Sequence, residues 1–313
     1  MHREHVELKK FKKVMLVFNP NSGRRLFVDT ASRVNDIRNQ LRELLGVQVL
    51  TEVSIYSFEE VRTIAQRICN EHYEWVIVAG GDGTLRAITE VFVENGKLPY
   101  MSVYPVGTVN LVAKELMLPA DPDEWMKKVK RGMLTPVWLG QANNRVFLTV
   151  AGIGIDSLVI DKVTETEKKY LSKFAYVIEG TELVKRELLW QDWQYKFQVM
   201  INNDGIWRDA ASVIVAKSRY YAGWFSLVDG ASLSSAKLHV CLFHGVNKLD
   251  LLRYLGLLLT DSLATDKSVE ILEAQSVEIR CNEENFAAEL DGDSLVTSPL
   301  SISLLPEPVQ FIA

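Results

Sequence analysis

Five consecutive residues, Gly80-Gly81-Asp82-Gly83-Thr84, carry the sharpest chemical pattern in the chain. Glycine lets backbone N–H groups approach an anion with no Cβ in the way. The helix expected to follow would turn its positive end to the same place. An aspartate inside an anion cradle is a contradiction unless a cation sits there as well, and Mg²⁺ carried by nucleotide phosphates removes it. The plainer reading is a strand-to-helix turn capped by Asp82 or Thr84, but three glycines around one acid exceed what a simple turn needs. Two further turns offer related chemistry. In Asn19-Pro20-Asn21-Ser22-Gly23, Asn19, Ser22 and the Gly23 amide could hold a phosphate or ribose, and Arg24 adds charge. Gly107-Thr108-Val109-Asn110 is the third. Near the C-terminus, Asp291 and Asp293 flank Gly292. A carboxylate there could take a proton from a hydroxyl, although Asp-Gly is also a common hairpin turn.

The elements that must position these residues follow from hydrophobic pattern. Lys13–Phe18 reads as a buried strand running into the Asn19 turn, followed by a helix from about Asp29 to Leu45. Val47–Val53 is a second strand, and Val61, Ile64, Ala65 and Ile68 stripe a helix over 58–71. Glu74–Ala79 and Tyr100–Tyr104 are the strands that end in the glycine loop and the Gly107 turn, each succeeded by a helix. Alternating strands and helices imply a parallel sheet with helices on both faces, in which ligands bind beyond the carboxyl ends of the strands. All three turns lie at such ends. Past Asp121-Pro122 the texture becomes strand-rich: Thr135–Leu139, Arg145–Val150, Tyr195–Ile201, Ala211–Ala216, Leu238–Phe243, Val269–Leu272, Ser276–Cys281 and Ser301–Leu305. Helical segments near Lys168–Arg186 and Lys248–Leu263 interrupt them. The expected architecture is an α/β domain over 1–128, with 301–313 a candidate addition. An antiparallel, sandwich-like β-rich domain covers 129–300.

Composition narrows the class. The 313 residues are 48% hydrophobic and 24% charged, with a formal net charge of -5. A mildly acidic chain argues against a nucleic-acid partner, which calls for a basic face. The basic cluster Arg3, Lys9, Lys10, Lys12 and Lys13 reads as a solvated lead into the first strand, with a membrane-surface contact as the alternative. Three scattered cysteines match no metal spacing and fit a reduced, cytoplasmic location. No segment is long and apolar enough to span a bilayer, so membrane association is expected to be peripheral. Neither a GxxxxGK[ST] loop nor a GxGxxG fingerprint is present.

Taken in order, Asn19–Gly23, Gly80–Thr84, Pro105–Asn110 with Ala113, Gly152–Asp156 and Leu290-Asp291-Gly292-Asp293 resemble the diacylglycerol kinase catalytic-domain family. Sphingosine and ceramide kinases share this layout. The resemblance spans nearly the whole chain. It implies ATP and Mg²⁺ as cofactors, a nucleotide between two domains, and a lipid alcohol such as diacylglycerol or a sphingoid base as phosphate acceptor. Under it, Asn19, Ser22, Gly23, Gly80, Gly81, Asp82, Gly83, Thr84, Gly107, Thr108 and Asn110 would bind nucleotide. Asp82 would meet the metal with the phosphates. Asp291 or Asp293 would accept the alcohol proton, and both, with Asp82, are catalytic candidates.

Three positions depart from the family pattern. An acidic stretch that holds a structural Mg²⁺ is replaced here by Ala231-Ser232-Leu233-Ser234-Ser235-Ala236-Lys237-Leu238-His239. A hydroxyl beside an ammonium is a poor Mg²⁺ site. That accessory ion at Ser235/Lys237 is therefore expected to be absent, with Lys237 partly replacing its charge. Asp293 stands where glutamate is usual, and Leu111 where Asp often follows Asn. Two other functions compete: a kinase for a soluble substrate such as NAD, and a nucleotide-binding protein with weak or no catalysis. A homodimer stays open, as do the identity of the lipid and its chain length.

Overall fold

The structure is a computed structural model that describes residues 4–20, 30–46, 49–107, 109–154, 197–221, 225–245, 248–281, 286–297 and 299–313. The chain divides into two compact units, Met1–Trp138 with Glu307–Ala313, and Leu139–Pro306.

In the first unit, β1 (Val14–Phe18), β2 (Leu50–Ser54), β3 (Trp75–Gly80) and β4 (Tyr100–Pro105) pair in parallel in the order β2-β1-β3-β4. Every residue of β3 is buried, which is why its sequence WVIVAG is an unbroken apolar run rather than an alternating one. Three helices connect these strands: α1 (Thr30–Leu45), α2 (Phe58–Glu71) and α3 (Asp82–Glu94). The start of α2 is written locally. Ser57 accepts from the Glu60 amide at 3.2 Å, and Glu60 reaches back to the Tyr56 amide at 2.6 Å. Val61, Ala65, Ile68 and Cys69 form its buried face, and it packs against α3, while α1 packs against α5 (Pro122–Val129). Strand order locates the site. The chain leaves β1 towards β2 but leaves β3 towards β4, in the opposite direction. With right-handed crossovers this puts a topological switch point between the carboxyl ends of β1 and β3.

The sheet continues past β4. The C-terminal strand β20 (Val309–Ile312) inserts between β4, to which it is parallel, and β5 (Leu134–Val137), to which it is antiparallel. Buried Ser102 fastens it: its hydroxyl donates to the Ile312 carbonyl at 2.7 Å and accepts from Trp75 Nε1 at 3.1 Å. The strand near residue 135, expected to open the β-rich half, therefore closes the first sheet. Residues 301–304 instead belong to β19 (Leu300–Leu304), a strand of the second unit.

Among the described residues the second unit contains two six-stranded antiparallel sheets and the short pair β12 (Tyr220–Tyr221) with β13 (Phe225–Ser226). The first runs β10 (Arg208–Ala210), β9 (Phe197–Ile201), β16 (Ser276–Cys281), β19, β6 (Gly140–Ala142), β7 (Arg145–Phe147). The second runs β15 (Val269–Ala274), β14 (Leu238–Phe243), β11 (Ser212–Ala216), β8 (Val150–Ile153), β17 (Phe286–Leu290), β18 (Asp293–Thr297). One core fills the space between them, with Val199, Ile279 and Ile302 from one sheet and Val213, Val215, Val240 and Leu242 from the other. The alternate residues Ile214, Ala216, Cys241 and Phe243 face a second core with Leu227, Val228, Tyr254 and Leu263. That two-sided burial explains why β11 and β14 are apolar throughout. Tyr254 lies on α6 (Lys248–Leu259), which thus covers the outer side of the second sheet. The Cys241 thiol, buried at the centre, is pushed up to about 12 by desolvation and is chemically inert.

A single strand over 145–150 was the expectation. The chain instead breaks between β7 and β8 at Leu148 and Thr149, because the amides there bond a side chain rather than a neighbouring strand. The expected helix near Lys168–Arg186 lies outside the described residues.

Candidate functional site

The Asn19, Gly80 and Gly107 turns are fastened to one another. Asn19 Nδ2 donates to Thr84 Oγ1 at 2.9 Å, and the Asn19 amide bonds the Ala79 carbonyl at 3.0 Å. Asp82 bridges the other two turns. One carboxylate oxygen accepts from the Leu111 amide at 2.7 Å and the other from the Val112 amide at 3.2 Å. These amides open α4 (Leu111–Glu115). The residue before them, Asn110, cannot cap that helix itself, because it is held left-handed at φ 53 and its Nδ2 goes to the Gly107 carbonyl at 2.7 Å. Asp82 therefore caps a neighbouring helix, a contact the sequence reading did not foresee.

Glycine is required where these turns touch. A Cβ on Gly107 would lie 2.6 Å from Gly81 Cα and 2.5 Å from Asn110 Oδ1, and a Cβ on Gly80 would lie 3.1 Å from Thr84 Cβ. Among the described residues nothing beyond its chain neighbours and its own helix backbone lies within 4 Å of the same position on Gly83. Helix α3 starts here, with Gly81 as an N-cap that makes no side-chain bond, so its first-turn amides have no intrahelical acceptor. Asn110 Oδ1 is buried and has no donor among the described residues, an expensive state for an isolated amide oxygen. A ribose hydroxyl or an ordered water would supply the missing donor. Backbone amides at a helix start, two glycine turns in van der Waals contact and an acceptor without a donor together form a polar cradle at the switch point. Ser22, Gly23 and Thr108 lie outside the described residues.

The late aspartates sit on the β17–β18 hairpin of the second unit. Asp291 and Gly292 occupy its two central positions at φ 51 and φ 89, the mirror-image turn that suits right-twisted strands. The Asp291 carboxylate accepts four hydrogen bonds, from the Leu148 amide at 2.6 Å, the Thr149 amide at 2.8 Å, Thr149 Oγ1 at 2.6 Å and the Val150 amide at 3.1 Å. Burial raises its pKa, opposed by these four bonds. The Gly292 amide is held by Glu289 at 2.7 Å, and Glu289 is itself buried. Asp293, the first residue of β18, is exposed. The two acids thus have different surroundings: Asp291 clasps the Leu148–Val150 segment, while Asp293 reaches solvent.

The 231–239 segment also departs from expectation. Lys237 does not face the turn: it pairs with Glu273 of β15 at 2.6 Å on the surface. The ammonium that reaches the turn belongs to Lys217, fully buried just past β11, whose Nζ donates to the Ser232 carbonyl. Sequence reading missed Lys217; a lysine directly after the apolar run SVIVA was the only available signal. His239 is buried on β14 at 5% exposure, and among the described residues its Nε2 has no partner. Desolvation lowers its pKa; Lys217 and Lys237 act in the same direction, against Glu273. A histidine depressed in the folded state contributes stability that is present above its ordinary value of about 6.5. That contribution is lost as pH falls from there towards the depressed value. The urea midpoint of the wild type relative to a His239→Gln variant is therefore expected to fall between pH 7.5 and 5.5. An unchanged difference across that range contradicts the assignment.

Comparison with known proteins agrees with this architecture. The model of the diacylglycerol kinase catalytic domain matches residues 13–142. That of the YegS C-terminal NAD kinase beta sandwich-like domain matches residues 149–313. A diacylglycerol kinase of Staphylococcus saprophyticus is 28% identical over 243 residues, 77% of this chain and 75% of that one. One of Staphylococcus carnosus is 32% identical over 178 residues, 55% of each chain. The chain thus spans about half to three quarters of the length of these curated relatives. The crystal structure of a diacylglycerol kinase from Bacillus anthracis str. Sterne superposes with a TM-score of 0.73 at 20% identity, covering 97% of both chains. A second from that organism gives 0.78 at 22% identity with the same coverage. At that identity the likeness establishes the fold. An α/β unit with a polar cradle at its switch point and an antiparallel sandwich unit are the two parts of this architecture. The chain belongs to the family of the YegS C-terminal NAD kinase beta sandwich-like domain, whose model matches more than half of it, and its residues 13–142 match the diacylglycerol kinase catalytic domain.

Proposed function

We propose that the protein transfers the γ-phosphate of ATP to the hydroxyl of a lipid alcohol, with Asp293 accepting the proton. The observation that carries this reading is the cradle of the first unit, where Asp82 and the Gly81–Gly107 contact hold two turns around the uncapped start of α3. Phosphoryl transfer asks mainly for positioning and charge neutralisation, and backbone amides at a helix start provide both for phosphate oxygens. Asp82, whose oxygens accept the Leu111 and Val112 amides, is the carboxylate of this turn, and carboxylate oxygens suit a Mg²⁺ ion carried by the triphosphate, which would neutralise phosphate charge. Asn19, Gly80, Gly81, Gly83, Thr84, Gly107 and Asn110 would contact or shape the nucleotide site.

The acceptor oxygen bonds to the γ-phosphorus as its proton passes to a carboxylate and ADP departs with the electrons of the broken bond. Exposed Asp293 suits that role better than Asp291, whose carboxylate already accepts four hydrogen bonds. Among the described residues no helix is long and apolar enough to cross a membrane. In this reading the lipid is met at the bilayer surface, on the cytoplasmic side. A second reading, phosphorylation of NAD, has support from the NAD kinase-like sandwich of the second domain.

The test is transfer of label from [γ-³²P]ATP to diacylglycerol, monoacylglycerol, sphingosine, ceramide and a polyprenol in mixed micelles, with NAD in parallel. Label in the organic extract with at least one lipid and none in NAD is the expected result. Label in NAD alone overturns the lipid reading, and no transfer despite ATP binding favours a non-catalytic protein.

A further inference from the structure

The family resemblance implies a structural Mg²⁺ in the segment that here reads Ala231–His239, but the residues present do not fit one. Divalent hard cations take carboxylate and carbonyl oxygens, and this segment offers Ser232, Ser234 and Ser235 with no carboxylate between Asp229 and Glu270 other than Asp250, Asp261 and Asp266, on and beyond α6. A donor is already in place: the Ser232 carbonyl accepts from Lys217 Nζ. Lys217 has 0% exposure, as unusual for a lysine as it is costly. Its neighbours make the turn rigid: the Ser235 amide bonds the Ser232 carbonyl at 3.1 Å, and the Ala231 amide bonds Val228 at 3.1 Å. His239, from the same segment, contributes a buried ring, and its Cε1 lies 3.8 Å from a Cβ built on Gly230.

The backbone of Lys217 leads from this turn to the acidic hairpin. The Lys217 amide donates to the Thr149 carbonyl at 2.8 Å, and the Ser218 amide to the same oxygen at 3.1 Å. Thr149 in turn gives its amide and its hydroxyl to Asp291. A continuous set of bonds therefore links Ser232, Lys217, Thr149 and Asp291, and Asp291 sets the turn from which Asp293 projects. Both ends of this path lie in the second unit.

We propose that the buried Lys217 ammonium is an internal cation that takes the place of a structural divalent ion, and that it positions the Asp291–Asp293 hairpin. The second half rests on the kinase reading; the first does not. Lys217 is a positioning residue, since it acts through Thr149 and Asp291 rather than on substrate.

The experiment uses the full chain without nucleotide. After dialysis against Mg²⁺ and gel filtration, metal analysis is expected to find no retained ion, and the melting temperature is expected to be the same in Mg²⁺ and in EDTA. Lys217→Met, which keeps the bulk and removes the charge, is expected to melt several degrees lower. It should also lose about 10-fold to 100-fold in kcat at unchanged KM for ATP, the range typical of groups that orient a reactive ligand. Lys217→Ala is expected to regain melting temperature and activity with propylammonium but not with propanol. A retained divalent ion, a melting temperature that depends on Mg²⁺, or a Lys217→Met protein with wild-type melting temperature overturns the internal-cation claim, even if no lipid is ever phosphorylated. A lowered melting temperature with wild-type kcat overturns the positioning claim alone. If Lys217→Met does not fold, equal rescue of Lys217→Ala by amine and alcohol overturns the charge argument.

Discussion

Replacing Gly107 by alanine is expected to lower ATP affinity by on the order of 100-fold. The added methyl would sit 2.6 Å from Gly81 Cα and 2.5 Å from Asn110 Oδ1. The first of these is backbone and has no rotamer to change, so the turns must separate by about an ångström to reach ordinary contact. Overpacking of this kind costs about 1–3 kcal/mol, and a displacement near 1 Å in a positioning group can cost about 100-fold. It also strains the Asn110 bond to the Gly107 carbonyl and the Asp82 cap on α4. Calorimetric titration with ATP and Mg²⁺ reads the affinity, and circular dichroism checks the fold. Gly83→Ala is the informative partner. Outside its chain neighbours and its own helix backbone, no atom of the described residues lies within 4 Å of the new methyl, so the unliganded fold should be unaffected. If ATP affinity nevertheless falls, the loss reports a ligand that approaches the backbone there. Wild-type affinity in Gly107→Ala would contradict the role assigned to the turn contact.

Separating the two late acids is expected to give the second large effect. Asp291→Ala removes an acceptor of four bonds and strands the amides of Leu148, Thr149 and Val150. Each buried donor left unsatisfied costs about 1–3 kcal/mol, and whole-protein stability is typically only about 5–15 kcal/mol. The variant should therefore be severely destabilised, which a urea titration will show. Asp293→Asn should instead fold and melt like the wild type, keep its KM for ATP, and lose about 100-fold to 10,000-fold in kcat, the contribution typical of a general base. The opposite pattern, a stable, inactive Asp291→Asn beside an active Asp293→Asn, would move the base to Asp291.

What could be read from the sequence was what is encoded locally. Buried runs such as VMLVF and WVIVAG announce parallel strands, and Gly80–Thr84 announces a turn where backbone must come close to something. The convergence of the turns followed from strand order, since all three lie at carboxyl ends. What could not be read depends on partners distant in the chain. Asp291 and Leu148 are 143 positions apart, and nothing local at Leu148 says that its amide will leave the strand for a carboxylate. The hairpin strand Phe286–Leu290 was not foreseen because Ala287, Ala288 and Glu289 are poor strand formers; pairing with β8 overrides their preference. Lys237 looked like the charge that replaces a metal because it lies beside the serines, yet Glu273 across the strand pair holds it on the surface. The compensating ammonium came from Lys217, just past another strand. Propensity and motif order are thus enough to place a loop, but not to say which acid in it is already committed to the backbone.

The account stands on the cradle at the switch point of the first unit. Hydrogen–deuterium exchange with and without a non-hydrolysable ATP analogue and Mg²⁺ tests it directly. Slower exchange concentrated in the peptides covering residues 79–86 and 105–112 is the predicted result. Saturating nucleotide that slows exchange elsewhere and leaves both segments unchanged would contradict it.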